Sequence, residues 1–283
     1  MKQTQITLAT AFVLLAGVAP LAHADVRPDP GDYTALPAGT SLLLGYAQLP
    51  RADEVYSKGR KVVSNLDLSL NAGIFRYVHF TRLGGYTIDP QIIVPFGRQE
   101  IGLSGTRTSG LGDIIFGGTL WTIADAQRGE HLGWSVFVTA PTGGNKNQGF
   151  AISNNRWAVD LQAGYIRKLG DHWTLDAIVE TEFYQDQRDT RARKSPLLQL
   201  HGHLRYHLSG ATYLAATYRH ALGARETLHG ATLANDKNNG TAMLTWASFI
   251  DKQWQVQLQY SKDLRIEEGP RIDALQARFL YAF

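Results

Sequence analysis

From His201 to His207 every second residue carries nitrogen able to bear positive charge: His201, His203, Arg205 and His207. Alternate side chains of an extended chain point the same way, so a strand here would line up all four on one face. The segments before it hold carboxylates suited to the same arrangement, Asp160 in one and Asp176, Glu180 and Glu182 in the next. Three chemistries fit. Opposite charges on neighbouring strands can form a salt-bridged lattice that fixes spacing. The same groups around a passage can select solutes by charge, with histidine adding a response to pH. His201 and His203 with one carboxylate could also hold a metal ion, but spacing places no third ligand, so neither a metal nor any other cofactor is expected.

Catalysis has little to work with. Cysteine is absent, which removes thiol chemistry, cysteine-ligated metals and disulfides. No GxSxG or HExxH occurs, the glycines at 102, 105, 110 and 112 miss the dinucleotide spacing, and Gly143-Gly144-Asn145-Lys146 lacks the P-loop register. A membrane hydrolase would need a Ser–His pair facing lipid, whereas His207 and Ser209 share the polar face. The chain is therefore read as not an enzyme. Lys and Arg number 28 against 25 acidic residues and are scattered, so no nucleic-acid partner is indicated.

The elements that must carry these groups read as strands of period two. Trp254, Val256, Leu258 and Tyr260 alternate with Gln253, Gln255, Gln257 and Gln259, and similar two-faced runs begin at Arg156, His172, Pro196 and Asp273. A soluble sandwich rarely sets four glutamines opposite an apolar stripe with aromatics at both ends, but a lipid-facing strand with a polar lumenal side does. The fold class expected is all-β, a closed antiparallel transmembrane barrel of about twelve strands, near 40–48, 62–80, 86–96, 110–123, 131–142, 155–168, 172–185, 196–208, 211–222, 240–249, 253–265 and 271–283. Tight connections such as Leu83-Gly84-Gly85 and Ser209-Gly210 alternate with long ones at 49–61, 97–109, 143–154, 186–195 and 223–239, the asymmetry of periplasmic turns and external loops. Unpaired edges in hydrocarbon would cost several kcal/mol per backbone group, so the last strand should pair with the first near Ser41 to Tyr46. Its terminal aromatics Phe279, Tyr281 and Phe283 are similar to the signal by which barrel-assembly machinery takes up such chains.

Four segments lie outside this pattern. Lys2, an apolar stretch from Thr7 to Val18 and Ala22-His23-Ala24 make 1–24 a cleaved signal peptide, which exports the chain to the outer membrane of a Gram-negative cell. Residues 25–39, with Pro28, Pro30 and Pro37, cannot be regular throughout and read as a periplasmic lead-in or partial plug before a barrel of residues 40–283. Arg188, Arg191, Arg193 and Lys194 fall in an external loop, where they either contact lipopolysaccharide phosphates or form a solvated surface. Asn235 to Asn239 reads as a polar loop.

Short stretches across the mature chain resemble a family of outer-membrane transporters linked to the meta pathway of phenol degradation. They are Asp32-Tyr33, Leu36 to Thr40, Arg76-Tyr77, Pro95-Phe96-Gly97, Gly110-Leu111-Gly112-Asp113 and Pro141-Thr142-Gly143. The resemblance implies a channel and, through gene context, aromatic substrates. The resulting expectation is a channel for passive uptake of small molecules, aromatic compounds or aromatic acids among them, with lipid, lipopolysaccharide and assembly machinery as partners. The alternative is a structural or adhesive barrel with a blocked lumen.

Overall fold

A computed structural model describes residues 27–144 and 149–283; the expected signal peptide lies outside this range. Twelve long strands form one ring. They are β1 (Ser41–Ala52), β2 (Leu68–His79), β3 (Gln91–Ile101), β4 (Ile114–Asp125), β5 (Glu130–Ala140), β6 (Ala158–Lys168), β7 (Trp173–Tyr184), β8 (Leu197–His207), β9 (Thr212–Gly223), β10 (Lys237–Phe249), β11 (Trp254–Arg265) and β12 (Asp273–Ala282). Each pairs antiparallel with its neighbour, and β12 closes on β1 from Leu42 opposite Ala282 to Arg51 opposite Asp273. Ser41 and Phe283 exchange two backbone hydrogen bonds of 2.7 and 2.9 Å at the inner rim. Closure leaves no lipid-facing edge at this joint, as the period-two reading requires.

The barrel is inside-out relative to a soluble protein. In β11, Trp254, Leu258 and Tyr260 are exposed to the surroundings while Gln255 and Gln257 are buried in the lumen. Aromatic side chains gather at the inner rim, where Trp254 lies 4.7 Å from Tyr281 and Tyr281 lies 5.5 Å from Phe283. Amphipathic rings suit the level of the lipid headgroups.

The seam between β3 and β4 is the thinnest, pairing only at Gln91–Gly117, Ile92–Phe116 and Ile93–Ile115. Pro90 and Pro95 flank it and lack the N–H that a ladder needs. Outward of the seam β3 takes a short strand, Thr106–Leu111, as neighbour; inward β4 pairs with Tyr86–Ile88. The expected strand 86–96 is thus two pieces parted at Asp89-Pro90. Gly84 and Gly85, with φ of 56° and 89°, make the tight hairpin turn that a side chain would strain.

The external segments are more ordered than expected. Val55–Ser57 and Arg60–Val63 form a hairpin, as do Glu226–Leu228 and Ala231–Ala234. The loop after β5, expected to stand outside, instead folds into the outer mouth. Phe150, Ala151 and Ile152 are buried against Leu66, Leu68 and Leu70. Burying these apolar side chains is favourable, and the Asp113 carboxylate pins the loop by accepting N–H bonds from Gly143 at 2.9 Å and Asn154 at 2.6 Å.

Candidate functional site in the lumen

Residues 28–36 enter the lumen and cross it in the periplasmic half. Pro28 and Pro30 prevent them from joining the wall as a strand. A turn forms instead, with Asp32 N–H donating to Asp29 O at 3.0 Å and Gly31 at φ 94°. This turn presents both carboxylates to arginines on the wall. Arg278 donates to Asp29 at 3.1 Å and to Asp32 at 2.9 Å, and Arg76 donates to Asp32 at 3.1 Å. Opposite the arginines, Gly31 N–H donates to Asp176 at 2.7 Å, and Tyr213 donates to Pro30 O at 2.8 Å.

Tyr33 locks the far side. Its hydroxyl donates to Gln162 at 2.8 Å and sits 2.9 Å from the Ser135 hydroxyl, while Trp121 Nε1 donates to its carbonyl at 2.9 Å. The ring lies flat on β5 and β6 because Gly133 and Gly164 leave room; a Cβ at Gly164 would overlap the ring carbons.

All eight lumenal residues singled out by spacing face inward, and all but His207 are buried there. Asp176 stands opposite His203 across β7 and β8, and its carboxylate accepts two bonds from Arg205 at 2.8 and 3.1 Å. Glu180 accepts from Gln199 and lies 3.4 Å from His201 Nε2. Glu182 accepts from Tyr184 at 2.6 Å, Asp160 from Gln162 at 2.6 Å, and His203 Nδ1 lies 2.7 Å from Thr217 Oγ1. His207 Nε2 meets Thr174 Oγ1 at 3.0 Å. Among the described residues no three His, Cys, Asp or Glu converge in a group able to hold a metal ion.

Among the chambers that flank the segment, two border Arg76. The outer one, about 140 Å³, has an apolar side made by Ile74, Ile93, Ile115 and Ile152 and a polar side that includes His201 and Arg219. The inner one, about 270 Å³, is bordered by Asp32, Arg205 and His207 and by Leu42, Leu44 and Val78. Of the eight residues, only His201 reaches the first and only Arg205 and His207 the second. Alternation could not single out Asp29, Asp32, Arg76 and Arg278 as partners, since the first two lie in an irregular segment and the arginines are far apart in sequence. The signals present were Asp32-Tyr33 and Arg76 in the family-like stretches and Arg278 on the polar face of the last strand.

In the external loop Arg188, Arg191 and Arg193 are exposed, and Arg193 lies 3.5 Å from Asp186. Lys194 turns inward instead, its ammonium 4.2 Å over the Tyr184 ring. Burial, then the Lys237 charge, push its pKa down to about 7. An unfolded lysine titrates near about 10.4, so between these values the folded loop binds fewer protons than the unfolded one and gains stability as pH rises. Amide exchange at residues 193–194 and 226–234, corrected for intrinsic rate, is expected to become more protected from about pH 6.5 to about pH 9. Lys194→Met should abolish that trend.

A family model described as the MetA-pathway of phenol degradation matches residues 52–279. The COG4313 outer membrane channel from Pseudomonas putida F1 is 30% identical, with a TM-score of 0.85 over 91% of this chain and 100% of that one. The beta domain of the Bordetella autotransporter BrkA is 10% identical (TM-score 0.53, 87% of this chain and 99% of that one). A TodX monoaromatic hydrocarbon channel mutant is 11% identical (TM-score 0.50, 87% and 90%). The last two are similar in fold alone. No curated protein sequence matches the chain.

Proposed function

The chain belongs to the family of the MetA-pathway of phenol degradation and is an outer-membrane channel protein, and from that premise we propose that it takes up small amphipathic molecules passively, aromatic acids above all. The observation that carries this reading is the two-faced outer chamber. Its isoleucine side suits a ring, whereas Arg76, next to Ile74 along β2, and Arg219 suit a carboxylate. Arg27, Arg76 and Arg219 border that chamber against Asp29 and Asp263, a balance that favours an anion. An uncharged phenol needs no such help, because it crosses bilayers.

Proteoliposomes holding the mature protein should take up benzoate faster than protein-free vesicles at about pH 8, where benzoate is ionised and leaks little. Uptake no faster than in empty vesicles would overturn the solute class. The tightly bonded segment 28–36 favours a second reading, a barrel whose lumen stays blocked; bilayers that remain silent with correctly folded protein would support it. At the rim, Arg188, Arg191 and Arg193 are proposed to meet lipopolysaccharide phosphates. Phe279, Tyr281 and Phe283 are proposed as the assembly signal.

A further inference from the structure

We infer that Arg76 is the gate through which an anionic solute passes from the outer to the inner chamber, its carboxylate exchanging with that of Asp32. The inference rests on the solute class proposed above. Arg76 borders both chambers. Along β2 the inward side chains run Ile74, Arg76, Val78, so the cation interrupts an apolar strip. Across from it lies the turn at Asp29–Asp32, with Asp29 bordering the outer chamber and Asp32 the inner one. A ring sliding along the strip therefore brings its carboxylate to Arg76 at the neck.

The exchange conserves interactions. Arg76 is held by Gln91 at 2.8 Å through Nε, leaving the end of its guanidinium to Asp32 at 3.1 Å and the Tyr46 hydroxyl at 3.5 Å. When a solute carboxylate takes the place of Asp32, Arg76 keeps a charge-assisted bond and Asp32 keeps Arg278 at 2.9 Å. No buried charge is left alone, which is the costly outcome in a dry neck. Arg278 cannot play this part, because it is 4% exposed and ties Asp29 and Asp32 together, whereas the Arg76 side chain keeps 11% exposure.

The test combines ion selectivity with uptake. Under a KCl gradient in planar bilayers, Arg76→Gln should move the reversal potential toward cation preference, and Asp32→Asn should move it toward anions by exposing the Arg76 charge. In proteoliposomes Arg76→Gln should cut benzoate uptake on the order of tenfold relative to a neutral sugar of similar size. Heat-dependent mobility on gels confirms that each variant is folded, and Asp32→Asn carries the test if Arg76→Gln is not. Wild-type benzoate uptake that both variants leave intact, with reversal potentials unmoved, overturns the gate and leaves the proposed function standing. Shifted reversal potentials without any wild-type benzoate uptake keep the gate and overturn the solute class. A wild-type barrel with neither current nor uptake overturns both.

Discussion

Removing residues 27–36 is expected to turn the narrow channel into an open pore, raising single-channel conductance on the order of tenfold and admitting sugars that the intact protein excludes. The segment fills the lumen where Arg76, Arg278 and Asp176 reach in from opposite walls. The ring needs little from the segment to satisfy its backbone, since the strands pair around the wall and the short strands Thr106–Leu111 and Tyr86–Ile88 take up most of what the thin β3–β4 seam leaves. The arginines released by the deletion would meet entering water, and Arg205 would keep Asp176. The barrel should therefore survive with heat-dependent gel mobility intact. Conductance unchanged from the full-length protein would place the limiting constriction at the outer mouth, where Phe150 and Ile152 pack against Leu66 and Leu68.

Arg278→Gln should produce a different phenotype from a smaller change. The arginine is 4% exposed and holds both Asp29 and Asp32, so its loss leaves the Asp29 carboxylate in the lumen with no cation bonded to it and only the neutral amides of Gln257, Gln259 and Gln276 beside it. Stranding a buried charge costs about 3–5 kcal/mol. The remaining anchors are the bond from Gly31 to Asp176, the bonds of Tyr33 and Tyr213, and the Asp32–Arg76 pair; neutral bonds contribute about 1 kcal/mol each. The two totals are comparable. Single-channel records of this variant should thus flicker between the wild-type level and the open level of the deletion. Adding Asp29→Asn removes the stranded charge and should restore the quiet, narrow state. A variant indistinguishable from wild type, with or without that second change, would mean that the ion pairs do not hold the segment in place.

These expectations draw unequally on what was legible in the chain. The barrel was fully visible, because lipid outside and a polar lumen inside force a strict alternation that survives without long-range information. The strand pair carrying Asp176 and His203 was legible for the same reason, since adjacent strands of an up-and-down barrel are neighbours in sequence. Register at Pro90 was not, because a proline stops a ladder without saying which strand takes over the freed partner. Nor was the inward turn of the loop at Phe150, whose apolar side chains are too few to show a period.

The sequence by itself determined the class of fold, the outward and inward faces of the strands from Arg156, His172, Pro196 and Gln253 and of most of the last strand, and the pairing of the last strand with the first near Ser41 to Tyr46, all of which follow from local alternation and the need to satisfy backbone groups in hydrocarbon. Only the tertiary structure decided what those inward charges do. Asp29 and Asp32 sit in an irregular segment, and Arg76 and Arg278 lie on β2 and β12, separated by most of the chain. Curling the sheet into a ring brings the two arginines to either side of β1, opposite Leu44 and Tyr46, and threading residues 28–36 through that ring supplies the carboxylates they hold. A charge's partner across a lumen depends on closure and threading, which no local pattern records.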